Sequence, residues 1–150
     1  MRTASILLAV AVGVGVAGCQ VPHKGHLPPP TASTQMCTAA SCDLKVTVDS
    51  SCVVSVDPEV LNLSRAEGNQ KLNWKLESSG FKFSDDPLRY GIFIKDPPNT
   101  NGQFHNPSHA ATQITLQFTH KTPGTVHTYG INVVRSNGET CSTKDPWVVE

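Results

Sequence analysis

The chain has 150 residues, 12 basic and 12 acidic side chains, and a hydrophobic fraction of 38%. A neutral balance lacks the basic excess that a nucleic-acid binder needs to neutralise phosphates, so no nucleic-acid partner is expected. The length suits one modest domain, for which cross-links would supplement a small core, and five cysteines are available to make them.

Arg2 precedes an uncharged run of Ile, Leu, Val, Ala and Gly from Ile6 to Ala17, so residues 1–18 read as an export signal. The run is shorter than the ~20 apolar residues of a spanning helix, and Gly13, Gly15 and Gly18 weaken it further. Ala17 and Gly18 leave room for a peptidase, and the next residue is Cys19. In these four residues, Val16-Ala17-Gly18-Cys19, the chain resembles bacterial lipoproteins, with Val16 where Leu is commoner. The resemblance covers the first nineteen residues. It implies cleavage before Cys19, diacylglycerol on the Cys19 sulfur and acylation of the new amino group. Gln20 stands where lipoproteins kept at the inner membrane usually carry Asp, so the same resemblance implies the outer membrane, with the protein facing the periplasm. Acyl chains contribute ~0.8 kcal/mol per buried CH₂, so a lipidated Cys19 needs no second membrane-binding element. Loss of residues 1–18 removes Arg2 and leaves a net charge of minus one.

Residues 19–41 read as a lipid-anchored flexible linker. Gln20 to Met36 holds Pro22, Pro28, Pro29 and Pro30 with little apolar material. At ~3.1 Å per residue in proline-rich extended form, it would hold the body up to ~50 Å from the membrane. His23 and His26 within it are expected to be solvated. The domain is expected over residues 42–150. Four cysteines remain after Cys19, and in an exported chain an even number reads as disulfides. A hairpin of Leu44–Val48 and Cys52–Val56 around Asp49-Ser50-Ser51 would place Cys42 opposite the far end of the second strand. That is beyond the ~7 Å a bridge to Cys52 tolerates. The expected pairs are therefore Cys37 with Cys42 and Cys52 with Cys141. Cys37 and Cys42 as half a zinc site lack a second ligand pair at suitable spacing.

From Leu44 onward the pattern has a period of two. Leu44, Val46 and Val48 alternate with polar residues, as do Cys52, Val54 and Val56, and Leu61 and Leu63 flank Asn62. Pro58 separates the second strand from the third. Leu72, Trp74 and Leu76 form the most regular inward row, with Trp74 expected at the centre of the core. Phe81 and Phe83 flank Lys82, and Tyr90 to Ile94 makes another short strand. Asp96 to His109, with Pro97, Pro98, Asn101-Gly102 and Pro107, reads as a long irregular loop and the favoured functional surface. Ile114, Leu116 and Phe118 alternate again, then Tyr129, Ile131 and Val133, with a hairpin signal at Asn137-Gly138. Trp147 to Val149 closes the set.

Eight or nine short strands without helical periodicity predict an all-β fold, a two-sheet antiparallel β-sandwich stabilised by disulfides. An early strand cysteine, a core Trp and a later Tyr129 resemble an immunoglobulin-like or cupredoxin-like sandwich. An antibody-type domain would carry its second cysteine at position 131, whereas here it is Cys141. A cupredoxin copper site needs His, and usually Met, soon after the late cysteine, and neither follows Cys141. His105 and His109 are the candidate metal ligands, with Pro107 between them. His120 and His127 flank the Pro123-Gly124 turn and are expected at exposed strand ends. Ser79-Gly80-Phe81-Lys82 has the Ser-x-x-Lys spacing of penicillin-recognising enzymes, but alternating Phe residues make it extended chain rather than a helix start. No catalytic set and no cofactor are expected. The reading is a non-enzymatic envelope lipoprotein that binds another envelope protein, of an assembly or toxin-immunity type. The alternatives are a periplasmic metal carrier using His105 and His109, and a hydrolase.

Overall fold

In the computed structural model, which describes residues 27–143 and 145–150, the period-two pattern becomes thirteen strands, and no helix forms among the described residues. They are β1 (Thr34–Met36), β2 (Ser41–Val48), β3 (Val53–Asp57), β4 (Val60–Asn62), β5 (Asn69–Leu76), β6 (Phe81–Phe83) and β7 (Ile92–Asp96). There follow β8 (Phe104–Ala110), β9 (Gln113–Thr119), β10 (Val126–Ile131), β11 (Val133–Arg135), β12 (Thr140–Thr143) and β13 (Trp147–Val149). They build one sheet in the order β1-β4-β13-β10-β7 and another in the order β6-β11-β12-β3-β2-β5-β9-β8. The result is the two-sheet, disulfide-stabilised sandwich. Its sheets mix directions: β1–β4, β13–β4, β12–β3 and β2–β5 are parallel and the other pairs antiparallel.

The strand order hides a simpler arrangement. Reading the first sheet as β1, β4, β13, β10, β7 and the second as β2, β3, β12, β11, β6 gives the same five stretches of chain in the same order. Each stretch runs through one sheet, breaks, and continues in the other. The breaks fall at the Cys37–Cys42 loop, at Pro58, before Trp147 where Pro146 stands, at Asn132, and over the segment from Ser84 to Gly91; the prolines cannot donate to a ladder. Asn132 ties the crease together, with Nδ2 donating to the Tyr90 carbonyl at 2.9 Å and its N–H to Gly91 at 2.9 Å. Beyond β2, the strands β5, β9 and β8 extend the larger sheet back over the smaller one.

Trp74 lies between the layers, fully buried, with its ring 5.4 Å from that of Tyr129 on the opposite sheet in an edge-on arrangement. Burying an indole of ~200 Å² at ~25 cal/mol per Å² contributes about 5 kcal/mol. Leu44, Leu72, Phe83, Ile114 and Phe118 complete the centre. Neither the Trp74 indole nitrogen nor the Tyr129 hydroxyl makes a well-formed hydrogen bond. Burial drives the Tyr129 phenol well above its ordinary pKa, and the nearby indole offsets this only in part.

Two boundaries differ from expectation. The end of the linker belongs to the body: β1 pairs in register with Val60–Asn62, and the Val60 N–H reaches the Ser33 carbonyl at 2.8 Å. The residues of β1 are exposed, so main-chain pairing alone holds them and no apolar alternation announces them. The stretch from Asp96 to His109 is only half loop, because Phe104–Ala110 is a strand paired with β9. Its proline is tolerated because β8 is an edge strand.

Candidate functional site

Cys19, residues 1–18 that read as an export signal, His23 and His26 lie outside the described residues. Cys37 and Cys42 are bonded, with Cα atoms 6.1 Å apart, and so are Cys52 and Cys141, at 4.9 Å. Cys52 immediately precedes β3, and Cys141 lies on β12, the neighbour of β3 in the same sheet. The second bridge therefore staples adjacent strands, whereas the antibody pattern links opposed sheets.

His105 and His109 do not converge. His105 faces Gln117 across the ladder and His109 faces Ile114, and residues 117 and 114 point to opposite sides of β9. Four residues apart, the two histidines would share a face in a regular strand. An extra residue in β8 between His105 and Ser108, with Asn106 at φ 49°, reverses the alternation. His105 Nε2 lies 2.9 Å from Thr119 Oγ1 on the outer face. His109 Nε2 instead meets the Ser84 carbonyl at 3.2 Å, and its ring packs on Tyr90 at 5.1 Å. Among the described residues, no group of three or more His, Cys, Asp or Glu side chains is placed to hold a metal.

β7, in the last of the five shared stretches, and β8, at the far end of the larger sheet, are edge strands with one strand neighbour each, and they flank a seam. Contacts pinch this seam at both ends. At one end are His109 on Ser84 and the Phe83 N–H on the Ala111 carbonyl at 2.8 Å. At the other, Asn99 takes the place of a neighbouring strand: its Oδ1 accepts the Phe104 N–H at 3.0 Å and its Nδ2 donates to the Phe104 carbonyl. Between the pinches lies an apolar cleft of about 260 Å³ lined by Tyr90, Ile92, Ile94, Asn99, Pro107 and Leu116. Leu88, 92% exposed, projects from the loop that carries Tyr90.

A polar cluster is buried behind the Asn99 end. Gln70, Gln103, His127 and Glu150 are each at most 3% exposed. The Glu150 carboxylate accepts the Lys121 and Thr122 N–H groups and the Thr122 hydroxyl, and lies 3.7 Å from His120 Nδ1. His120 Nε2 is 3.1 Å from Gln70 Oε1. His127 meets the Gln103 amide on one side and the Pro97 carbonyl on the other, at 3.3 Å. Burial lowers the pKa of His127, opposed by the Pro97 carbonyl and by the charges of Glu150 and Asp96. His127 is thus no exposed strand-end residue; it feels the charge of Glu150, whereas His120 lies against that carboxylate.

Compared with known protein families, with curated proteins and with solved structures, the chain matches none. The site therefore has to be read from its own chemistry.

A larger groove, about 470 Å³, runs along β6 and the β11–β12 turn. Its cations are already engaged, Lys82 with Asp85 at 3.3 Å and Arg135 with Glu139 at 2.7 Å and the Ser50 carbonyl at 3.2 Å. The seam cleft has the opposite character, with apolar walls, two strand edges and an exposed leucine beside it. Its volume suits one large apolar side chain, the anchor that protein interfaces concentrate their energy on. The Pro107 bulge and the Asn99 cap obstruct β8 as a template for a new strand. Sequence reasoning missed Gln70, Gln103 and Glu150, whose polarity suggests exposure. The available signal was the run from His127 to Ile131, a stretch buried on both faces.

Proposed function

We propose that the chain is a non-enzymatic lipoprotein of the bacterial envelope, anchored by acylated Cys19 in the outer membrane and facing the periplasm. Its sandwich docks a second envelope protein at the seam between β7 and β8. The observation that carries the reading is the cleft between the two strand edges, with Leu88 exposed beside it. The occupant that fits is an apolar, preferably aromatic, side chain presented on a loop of the partner. The proline-rich segment after Cys19 supports the reading as a spacer that lets a tethered body reach its partner.

The test is site-specific photo-crosslinking in the lipidated, full-length protein. A crosslinker replacing Leu88 should give one discrete adduct that disappears when Ile94→Arg places a charge in the cleft. A crosslinker replacing Lys71, on the outer face of β5, should give none. Equal adducts from both positions, or an adduct indifferent to Ile94→Arg, would refute docking at the seam. Labelling with a palmitate analogue, abolished by Cys19→Ser, tests the anchor separately.

A further inference from the structure

The loop of residues 97–103 carries Asn99, the wall of the seam cleft, and one imidazole holds both its ends. His127 lies between the Pro97 carbonyl and the Gln103 side chain and is 2% exposed. The state of its ring follows from partners whose roles are fixed. The Gln103 main-chain N–H can only donate, and it donates to Asn101 Oδ1 at 3.1 Å. Asn101 Nδ2 therefore faces Gln103 Oε1, also at 3.1 Å. Gln103 Oε1 is thus the acceptor, which leaves Gln103 Nε2 as the donor towards His127; the one Thr122 hydroxyl hydrogen goes to the Glu150 carboxylate at 2.8 Å and does not decide the orientation. His127 Nε2 must accept, so the ring is neutral, with its proton on Nδ1 donated to Pro97.

A second proton on the ring has no place in this chain of bonds. Nε2–H would point at the Gln103 amide N–H. Turning the Gln103 amide moves the clash to Asn101 Nδ2, and turning Asn101 moves it to the Gln103 main-chain N–H, which cannot turn. The clash is removed by giving up both Asn101 bonds that brace the loop, with the exposed Asn101 side chain turning out to solvent, or by displacing the loop itself. The groups around the ring come from four sides. Asp96 of β7 and Glu150 beyond β13 favour the proton, the Phe104 ring of β8 packs edge-on at 5.1 Å, and after β9 His120 lies against Glu150 while the Lys121 ammonium donates to the Asn101 carbonyl of the loop at 2.7 Å.

We propose that His127 is an acid-sensitive clasp whose protonation releases loop 97–103 and, with it, the Asn99 wall of the cleft. Acid control of docking rests on the docking reading above, whereas the clasp itself needs no partner. The test is hydrogen exchange of the amides of residues 99–104 in the full chain between pH 7.5 and 5.0, corrected for intrinsic exchange. The rise should reach at most about thirtyfold, the factor set by an opened imidazole with the ordinary pKa of ~6.5. In His127→Gln, which cannot titrate, the change should stay within about twofold. A flat wild-type profile, or an equal rise in the variant, would overturn the clasp. Nitrogen chemical shifts of the wild-type ring supply a readout that needs no variant: at pH 7.5, Nδ1 should be protonated and Nε2 bare. The reverse tautomer or an imidazolium would refute the argument. Failure of crosslinking at Leu88 would remove docking and leave the clasp intact, and a failed clasp would leave docking without acid control.

Discussion

The two disulfides close loops of very different size, which allows their contributions to be separated. Cys52 and Cys141 are 89 residues apart in sequence and Cys37 and Cys42 are 5 apart. On the chain-entropy model, the long closure removes about 4.6 kcal/mol of unfolded-state freedom and the short one about 2 kcal/mol. The double variants Cys52→Ala/Cys141→Ala and Cys37→Ala/Cys42→Ala should therefore differ in stability by about 2.5 kcal/mol. Small domains have only ~5–15 kcal/mol in total, so the first variant should be close to its limit while the second remains folded. Urea unfolding followed by tryptophan fluorescence measures both, since Trp74 is fully buried and Trp147 is 9% exposed. Loss of the long closure should also steepen the denaturant dependence, because the freed chain exposes more surface. Equal losses, or a larger loss for the short loop, would refute the assignment of this stability to the unfolded chain.

Gly91→Ala should cost ~1–3 kcal/mol, because a Cβ there meets buried Ile114, the Phe83 Cβ at 3.0 Å and the Ser84 carbonyl at 3.3 Å. Gly130→Ala meets only the ends of the Phe93 and Lys95 side chains, and Phe93 is 37% exposed and can swing away; thermal melting should rank the two in that order. Glu150→Ala should cost ~1–3 kcal/mol by stranding the Lys121 and Thr122 N–H groups, read from urea midpoints. The folded-state pKa of His127 lies below its ordinary value, so above pH ~6.5 the ring is neutral in both states and contributes nothing. As pH falls below that point the unfolded chain takes up the proton first. Wild-type stability should then drop relative to His127→Gln by at most ~1.4 kcal/mol per pH unit, until the folded-state pKa is reached. Paired pH-dependent melts check the sign.

The core was legible because its strands carry one buried face each: β2, β5 and β9 alternate strictly, and the expected rows through Leu44, Trp74 and Ile114 are the buried ones. The cysteine pairs were legible for the same reason, since the β2–β3 register fixes which cysteines can meet. Three things were hidden. Parallel pairing leaves no local mark, because Ser41–Val46 and Lys71–Leu76 are joined only by distant register. The β8 strand contains Asn106-Pro107-Ser108, whose composition reads as a turn, and the bulge that parts His105 from His109 depends on the partner strand. The clasp was hidden because a histidine and two amides acquire their meaning only once loop 97–103 folds over them.

Five segments shared between the layers make the body resemble a page folded once, with its spine through the breaks at Asn132 and Gly91 and its free margins at the outermost strands. Pulling the layers apart at the spine would require tearing main-chain continuity, so breathing motions are confined to the margins. Hydrogen exchange should therefore be graded across the molecule, slowest beside Asn132 at the spine and fastest along β8, whichever partner the free margins meet.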